Sequence, residues 1–258
     1  MNLLEKTRRF NSLLQANIDG RSTSYQNLAL KFSELMGASV FIVSKDGQIL
    51  GSSTDQIIDG IDQISNMLPS SLTQKLIEVE QSLSNEPVQS SYTIIPDVLR
   101  SNFPRLMTTI IPINGGGTRL GTFILLRFYN GFTEEDLVLG EIAATVIGMK
   151  MVRHRTDEIE AEIREKTYAK IALSSLSYSE QFAIEKIMEH MESARDRLLV
   201  ASDLADKAGI TRSVIVNALR KLASAGVLES RSLGMKGTYI RVLNSKFSTE
   251  LAKLKTSS

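Results

Sequence analysis

The stretch GITRSVIVNALRKLASAGVL, Gly209 to Leu228, carries the residues best suited to chemistry with another molecule. Ser213, Asn217, Arg220 and Ser224 recur at spacings of three or four, so a helix gathers them on one face, flanked by Arg212 and Lys221. Arginine and lysine neutralise phosphates, arginine also pairs with guanine edges, and asparagine pairs with adenine edges. That chemistry is recognition rather than bond making, and the polymer it suits is DNA. Ile215, Ala218, Leu219 and Leu222, at i, i+3, i+4 and i+7, supply the face that packs inward. Thr211 is placed to cap a helix running from Arg212 to Ala225.

Catalysis is poorly supplied. The chain has no cysteine, which excludes a disulfide framework, a thiolate nucleophile and thiolate-based metal sites. Its two histidines, His154 and His190, stand 36 positions apart. The run Gly115 to Gly117 lacks the Gly-Lys-Ser/Thr ending of a phosphate loop and leads into a strand, so it reads as a hairpin turn. The acidic run DEIEAEIREK has no histidine or second carboxylate cluster at ligand spacing and reads as a solvated helix face. We expect no catalytic residue, no metal ligand and no cofactor. A nucleotide hydrolase with a DNA-binding appendage is the rival from another class, and it lacks its motifs.

The elements around the opening helix are those that would present it to a groove. LSYSEQFAIEKIMEHME reads as a helix capped by Ser177 or Ser179, burying Phe182, Ile184, Ile187, Met188 and Met191. ASDLADKAGI is a short helix capped by Ser202 and ended at Gly209. VLESRSLGMKGTYIRVL follows as two strands joined by a turn with Gly234 and Gly237, and SKFSTELAKLK as a closing helix. This is the order of a winged helix-turn-helix. The wing offers Arg231, Ser232 and Lys236 to a backbone or minor groove. The chain's formal charge is only +1, yet Leu198 to Lys246 holds 8 basic and 3 acidic residues, a local net of +5. The positive charge sits where an anionic partner would meet it.

The N-terminal half has a different character. Leu3, Leu4, Phe10, Leu13 and Leu14 suggest a first amphipathic helix. SVFIVSKDGQILGSS reads as a hairpin about Asp46-Gly47 with a type I′ turn. SSYTIIP, LMTTIIPI and RLGTFILLRF are further strand candidates. Ser53 to Ser90 is a polar excursion with short helices near Ile57 to Leu68 and Leu72 to Glu80. From Thr133 to Leu176 no proline interrupts a helical pattern that opens with a threonine cap and three acidic residues. The expected organisation is α+β: a sensor domain over 1–150, a linker helix over 151–176 and a winged helix-turn-helix domain over 177–258. The N-terminal residues are too charged for a signal peptide, and no apolar run approaches the ~20 residues that span a bilayer. A cytoplasmic protein with no membrane partner is expected.

The segment ASDLADKAGITRSVIVNALRKLASAGVLESRSLGMKGTYIRVLN closely resembles the winged helix of the CodY family. LLEKTR, VFIVSKDGQILG, TTIIPINGGGTRLGTFIL, EDLVLGEIAATVIGM and SLSYSE extend the resemblance over most of the chain. It implies a GAF-like sensor domain, a long linker helix, and a winged helix that binds A/T-rich palindromic operator DNA as a homodimer. Members generally repress genes of amino-acid biosynthesis and transport, and respond to branched-chain amino acids and, in many cases, GTP.

The resemblance also marks departures. Gln63 stands where members that sense isoleucine hold its carboxylate with an arginine, and an amide lacks that charge-assisted grip. The same loop is shorter, and Leu72 replaces a tyrosine that usually lines the pocket. Met67, Thr93, Ile95 and Pro96 complete the expected effector pocket, with a branched-chain amino acid as the candidate effector. Asp46 and Gln48 replace basic residues, and Lys150 replaces a glutamate suited to the guanine edge, which argues against GTP. The alternative is a constitutive DNA-binding regulator whose sensor has lost or changed its effector.

Overall fold

A computed structural model describes residues 5, 7–9, 12, 24–54, 66–193, 198–234 and 237–255. The chain divides into two compact units, Met1–Arg155 and Thr156–Ser258. Most of the expected first helix, most of the expected Ile57–Leu68 helix, Gln63 and Lys236 lie outside the described residues, although Glu5, Thr7, Arg8, Arg9 and Ser12 are helical.

The first unit is built on five antiparallel strands: β1 (Ser39–Ser44), β2 (Ile49–Ser53), β3 (Leu83–Pro87), β4 (Leu106–Gly115) and β5 (Thr118–Phe128). Their order is β2-β1-β5-β4-β3. Val40, Ile42, Ile111, Ile113, Phe123 and Leu125 project to one face, where they pack with Leu28 and Phe32 of helix α1 (Tyr25–Met36). Leu139, Ala143 and Ile147, from the first half of the long helix α4 (Glu134–Ser174), complete that core. Phe41, Val43, Leu106, Ile110, Ile124 and Leu126 project to the other face, against Leu76 of α2 (Ser70–Glu78) and the segment holding Ile94 and Ile95. A sheet buried on both faces reads as continuous apolar runs, which is why VFIV and TFILL do not alternate with polar residues.

Two glycines allow the layers to close. A side chain at Gly148 would overlap the carbonyl oxygen of Asn114, so its absence lets α4 lie directly on the end of β4. One at Gly121 would overlap the carbonyl of Val43 in the neighbouring strand. Arg127 then ties three elements together. Its guanidinium donates to the carbonyls of Met36 (2.6 Å) and Gly37 (3.3 Å) at the end of α1, and bidentately to Asp136 (2.7 and 3.3 Å) in the first turn of α4. A cation at a helix C-terminus and a carboxylate at a helix N-terminus both complement the backbone dipole.

Several expectations change. The Asp46-Gly47 hairpin forms, but only Gly47 has positive φ (88°), and its N–H bonds to the Ser44 carbonyl at 3.0 Å. That is a tight turn followed by a glycine bulge rather than a type I′ turn, because neither Lys45 nor Asp46 adopts positive φ. The type I′ geometry belongs instead to Gly116 and Gly117 (φ 59° and 75°), between β4 and β5. SSYTIIP is not a strand: Thr93, Ile94 and Ile95 are buried in a turn-rich segment, and Pro96 opens the four-residue helix α3 (Asp97–Arg100). The edge strand beside β4 is β3, LSNEP, whose polar residues hid it from the hydrophobic pattern. Asn85, at φ 61°, breaks its register, and its side-chain amide exchanges two hydrogen bonds with the backbone of Phe132.

The second unit gathers the end of α4 with α5 (Tyr178–Ser193), α6 (Ala201–Ala208), α7 (Arg212–Ser224) and α8 (Phe247–Lys255). These pack on a three-stranded sheet of β6 (Leu198–Leu199), β7 (Leu228–Ser232) and β8 (Thr238–Val242), ordered β6-β8-β7. β6 is too short to leave a sequence pattern. Its core includes Ala172, Leu173, Ala183, Ile184, Ile187, Ile240 and Phe247. Ala183 takes the core place expected of Phe182, whose half-buried ring instead carries the ammonium of Lys186 at 5.5 Å. Ser177 and Glu180 form a reciprocal cap on α5, each side chain accepting from the other's backbone N–H.

Candidate DNA-binding surface and sensor cavity

The reading surface starts from the turn between α6 and α7. Gly209 adopts φ 65°, and its N–H closes α6 on the carbonyl of Ala205. Ala201 opens α6 with Val200 at the N-cap position, so Ser202 lies inside the first turn rather than capping it. Thr211 occupies the N-cap position of α7 with extended backbone, but its hydroxyl is 2.9 Å from the Ser213 hydroxyl and makes no capping bond. The two hydroxyls form an exposed pair at the start of the helix.

Along α7, Ile215, Ala218, Leu219 and Leu222 are buried, as their spacing requires. Arg212, Ser213, Asn217, Arg220 and Ser224 are exposed. Among the described residues neither Arg212 nor Arg220 forms a salt bridge, so both guanidinium groups remain available to phosphate or base. Val216 is 38% exposed and lies between Ser213 and Arg220 in helical spacing. Sequence reasoning passed over it because a valine next to Ile215 looks like core; only its position relative to the buried stripe marks it as outward.

Lys221 is placed differently. Its ammonium donates to Glu180 at 2.7 Å and to the Ser175 carbonyl at 3.2 Å, anchoring α7 to the start of α5. This hydrogen bond, with that from the Ser177 N–H, holds the Glu180 carboxyl below its ordinary range against an opposing effect of burial. In the wing, Arg231 and Ser232 are exposed at the end of β7. Arg231 reaches Glu229 at 2.6 Å, and Arg241 of β8 approaches the same carboxylate at 3.7 Å.

The first unit holds a cavity of about 650 Å³ on the sheet face away from α1. It brings together Met67, Leu72, Thr93, Ile95 and Pro96, all the described members of the expected pocket. Thr93 and Ile95 are buried, and the Thr93 hydroxyl accepts from the Ile95 N–H at 3.2 Å, fixing this wall. Leu68 and Ile94, together with Ser71 and Ser91, also line the cavity. Sequence reasoning missed the charged members: Lys75 from α2, and Asp97 and Arg100 from α3. The signal was present in the Asp-x-x-Arg spacing after Pro96, which a helical turn converts into a pair. Arg100 pairs with Asp97 at 2.8 Å and donates from Nε to the Ile95 carbonyl at 3.2 Å.

Asp46 and Gln48 are exposed in the β1–β2 turn. Lys150 of α4 lies over the ring of Tyr25, 5.1 Å from its centroid. Burial and, secondarily, the charge of Arg153 lower its pKa. No cluster of metal-ligating side chains occurs among the described residues, and no described helix is long and apolar enough to cross a membrane.

Both parts of the chain match known families. Residues 2–175 match the family model described as the CodY GAF-like domain, and residues 195–255 that described as the CodY helix-turn-helix domain. The chain is 50% identical over 262 aligned residues to the global transcriptional regulator CodY of Geobacillus sp. (strain WCH70), with 100% of each chain covered. It is 49% identical over 261 residues to the regulator of the same name from Bacillus cereus (strain B4264), covering 99% of this chain and 100% of the relative. Among solved structures, it is similar to the cofactor-binding GAF domain of the nutrient sensor CodY from Clostridium difficile. That likeness has 31% identity and a TM-score of 0.44, and covers 57% of this chain and 96% of the other.

Proposed function

The chain belongs to the CodY family of global transcriptional regulators, and we propose that it acts in the cytoplasm as a homodimeric, nutrient-responsive repressor of amino-acid metabolism and transport genes. Its operators are A/T-rich palindromes, each half-site read by one α7. The observation that carries this reading is the exposed row Arg212, Ser213, Asn217 and Arg220 on a helix whose opposite stripe is fully buried. Arg220 and Asn217 meet base edges, while Thr211, Ser213 and Arg212 position the helix on the backbone. Val216 offers an apolar contact to thymine methyl groups, which suits an A/T-rich site. Arg231, Ser232 and Lys236 bring the wing to the flanking backbone, and Ser202 supports the approach of α6. Lys221 keeps one of its three N–H donors for a phosphate while the other two fix the helix.

The effector is a branched-chain amino acid bound in the cavity of Met67, Leu72, Thr93, Ile95 and Pro96, and Gln63 is its remaining contact. GTP binding is weak or absent, because Asp46 and Lys150 reverse, and Gln48 removes, the charges a guanine nucleotide would need. The sensor occupies 1–150, the linker 151–176 and the reader 177–258. A second reading, a constitutive regulator with an altered sensor, draws on the same replacements at Gln63 and Lys150.

Fluorescence anisotropy of an A/T-rich palindromic duplex, titrated with the full chain, tests both. Tighter binding with millimolar isoleucine and no response to GTP is the expected result. Equal, salt-sensitive binding in every condition favours the constitutive reading, and no preference over a scrambled duplex overturns both.

A further inference from the structure

The cavity in the first unit has a polarity that an apolar pocket does not need. Its walls supply apolar surface from Met67, Leu68, Leu72, Ile94 and Ile95. Its charged members, Lys75, Asp97 and Arg100, come from two separate helices. Arg100 is the most enclosed of the three. Its side chain is 27% exposed, whereas its partner Asp97 is 85% exposed. A guanidinium has five N–H donors. Among the described residues two of them are engaged, one by the Ile95 carbonyl and one by Asp97. The Ile95 bond ties the Arg100 side chain to a wall whose own backbone is fixed by Thr93. A partly desolvated, oriented guanidinium with free donors is suited to a carboxylate.

We propose that Arg100, seconded by Lys75, anchors the carboxylate of a small apolar amino acid in this cavity, and that Asp97 faces its ammonium. The inference rests on the sensor reading above and names the residues that give that sensor its ligand class. A zwitterion laid along the Asp97–Arg100 pair alternates opposite charges, so it gains the arginine without leaving Asp97 uncompensated. A ligand with the carboxylate alone competes with Asp97 for the same guanidinium, and one with the ammonium alone leaves Arg100 and Lys75 unanswered. The apolar body then lies against Met67, Leu72 and Ile95, and the cavity volume of about 650 Å³ falls within the usual range for small-ligand sites.

Isothermal titration calorimetry on the full chain separates these cases. The probes are isoleucine, isoleucinol, which lacks the carboxylate, and 3-methyl-2-oxopentanoate, which lacks the ammonium. The expected order of affinity is isoleucine, then the oxo acid, then the alcohol. Arg100→Gln weakens isoleucine by about tenfold to a hundredfold, the scale of a charge-assisted hydrogen-bonded contact, and Arg100→Lys recovers part of it. Melting temperatures without ligand report folding of each variant. If Arg100→Gln does not fold, Lys75→Gln decides, with a severalfold loss for isoleucine and none for isoleucinol. Isoleucinol binding as tightly as isoleucine overturns the anchor, as does isoleucine affinity unchanged in both glutamine variants. An oxo acid that binds tighter than the amino acid overturns the role of Asp97. In those cases the sensor reading survives, whereas failure of the parent chain to bind any of the three overturns both.

Discussion

The ammonium of Lys221 lies 2.7 Å from the carboxylate of Glu180, so the reading helix α7 is bolted to the start of α5 by its own basic residue. Glu180 is nearly enclosed, with its side chain 8% exposed, and also serves the N-terminal cap of α5 through the Ser177 N–H. Lys221 and Arg220 are neighbours in sequence with divided tasks. Lys221→Met leaves a nearly buried carboxylate short of one donor, at a cost of about 1 kcal/mol to the stability of the second unit. Arg220→Ala leaves stability nearly unchanged and weakens operator binding by about tenfold to a hundredfold. Denaturant titrations and anisotropy on the two variants, side by side, check the division. A Lys221 variant of unchanged stability would return that residue to an ordinary phosphate contact.

Acid should act on the same contact. The hydrogen bond from Lys221, then that from the Ser177 N–H, holds Glu180 below its ordinary 4.5. A carboxylate depressed in the folded state contributes stability that is present above its unfolded pKa and lost as pH falls through the folded one. The second unit should therefore keep its melting temperature down to about pH 5 and lose it progressively below pH 4.5. Glu180→Gln removes this charge, lowers the plateau and flattens the acid limb. Melting curves between pH 7 and pH 3 for the two proteins show whether the slopes differ; parallel limbs would rule out Glu180 as a main contributor.

Arg127 and Asp136 make a comparable prediction for the first unit. Burial acts to raise the Asp136 pKa, but hydrogen bonds from Arg127 and Thr133 together with the arginine's charge outweigh it and bring it below 3.8. The two side chains are 17% and 10% exposed. Arg127→Met strands this carboxylate and frees the carbonyls of Met36 and Gly37, so a loss of about 3 kcal/mol is expected. Chemical unfolding followed by a probe in the first unit measures it. A loss below about 1 kcal/mol would place the pair with ordinary surface ion pairs.

The sequence made the reader far more legible than the sensor, for physical reasons. In α7 the buried stripe repeats with helical period and the turn at Gly209 is local, so Ile215 to Leu222 could be assigned without tertiary information. The strands VFIV and RLGTFILLRF were legible because both faces of the sheet are apolar. β3 was not, since an edge strand pairs on one side only and LSNEP keeps polar residues with a backbone break at Asn85. The cavity walls Met67, Leu72, Thr93, Ile95 and Pro96 were foreseen by resemblance. Its charges were not, because Lys75 and Arg100 are 25 positions apart and meet only when α2 and α3 fold onto the same sheet face. Lys221 was read only as a basic flank of the DNA-facing row, since nothing local reveals Glu180, 41 positions earlier.

Val216 offers the sharpest test of how the helix reads sequence. It is exposed on the row of Ser213 and Arg220, where an isolated domain gains nothing from an apolar side chain. Its removal should leave stability within about 0.5 kcal/mol of the parent, as for surface positions in general. A thymine methyl packed against it would instead lose apolar contact, worth about 0.8 kcal/mol per buried carbon. Val216→Ala should weaken binding to the A/T-rich duplex by severalfold and leave the salt dependence unchanged, because no phosphate contact is lost. The decisive comparison replaces each thymine of a half-site with uracil, which deletes only the methyl group. At one position the parent should lose affinity while Val216→Ala loses none, so that protein and base changes are not additive. Full additivity at every position would show that Val216 meets no thymine.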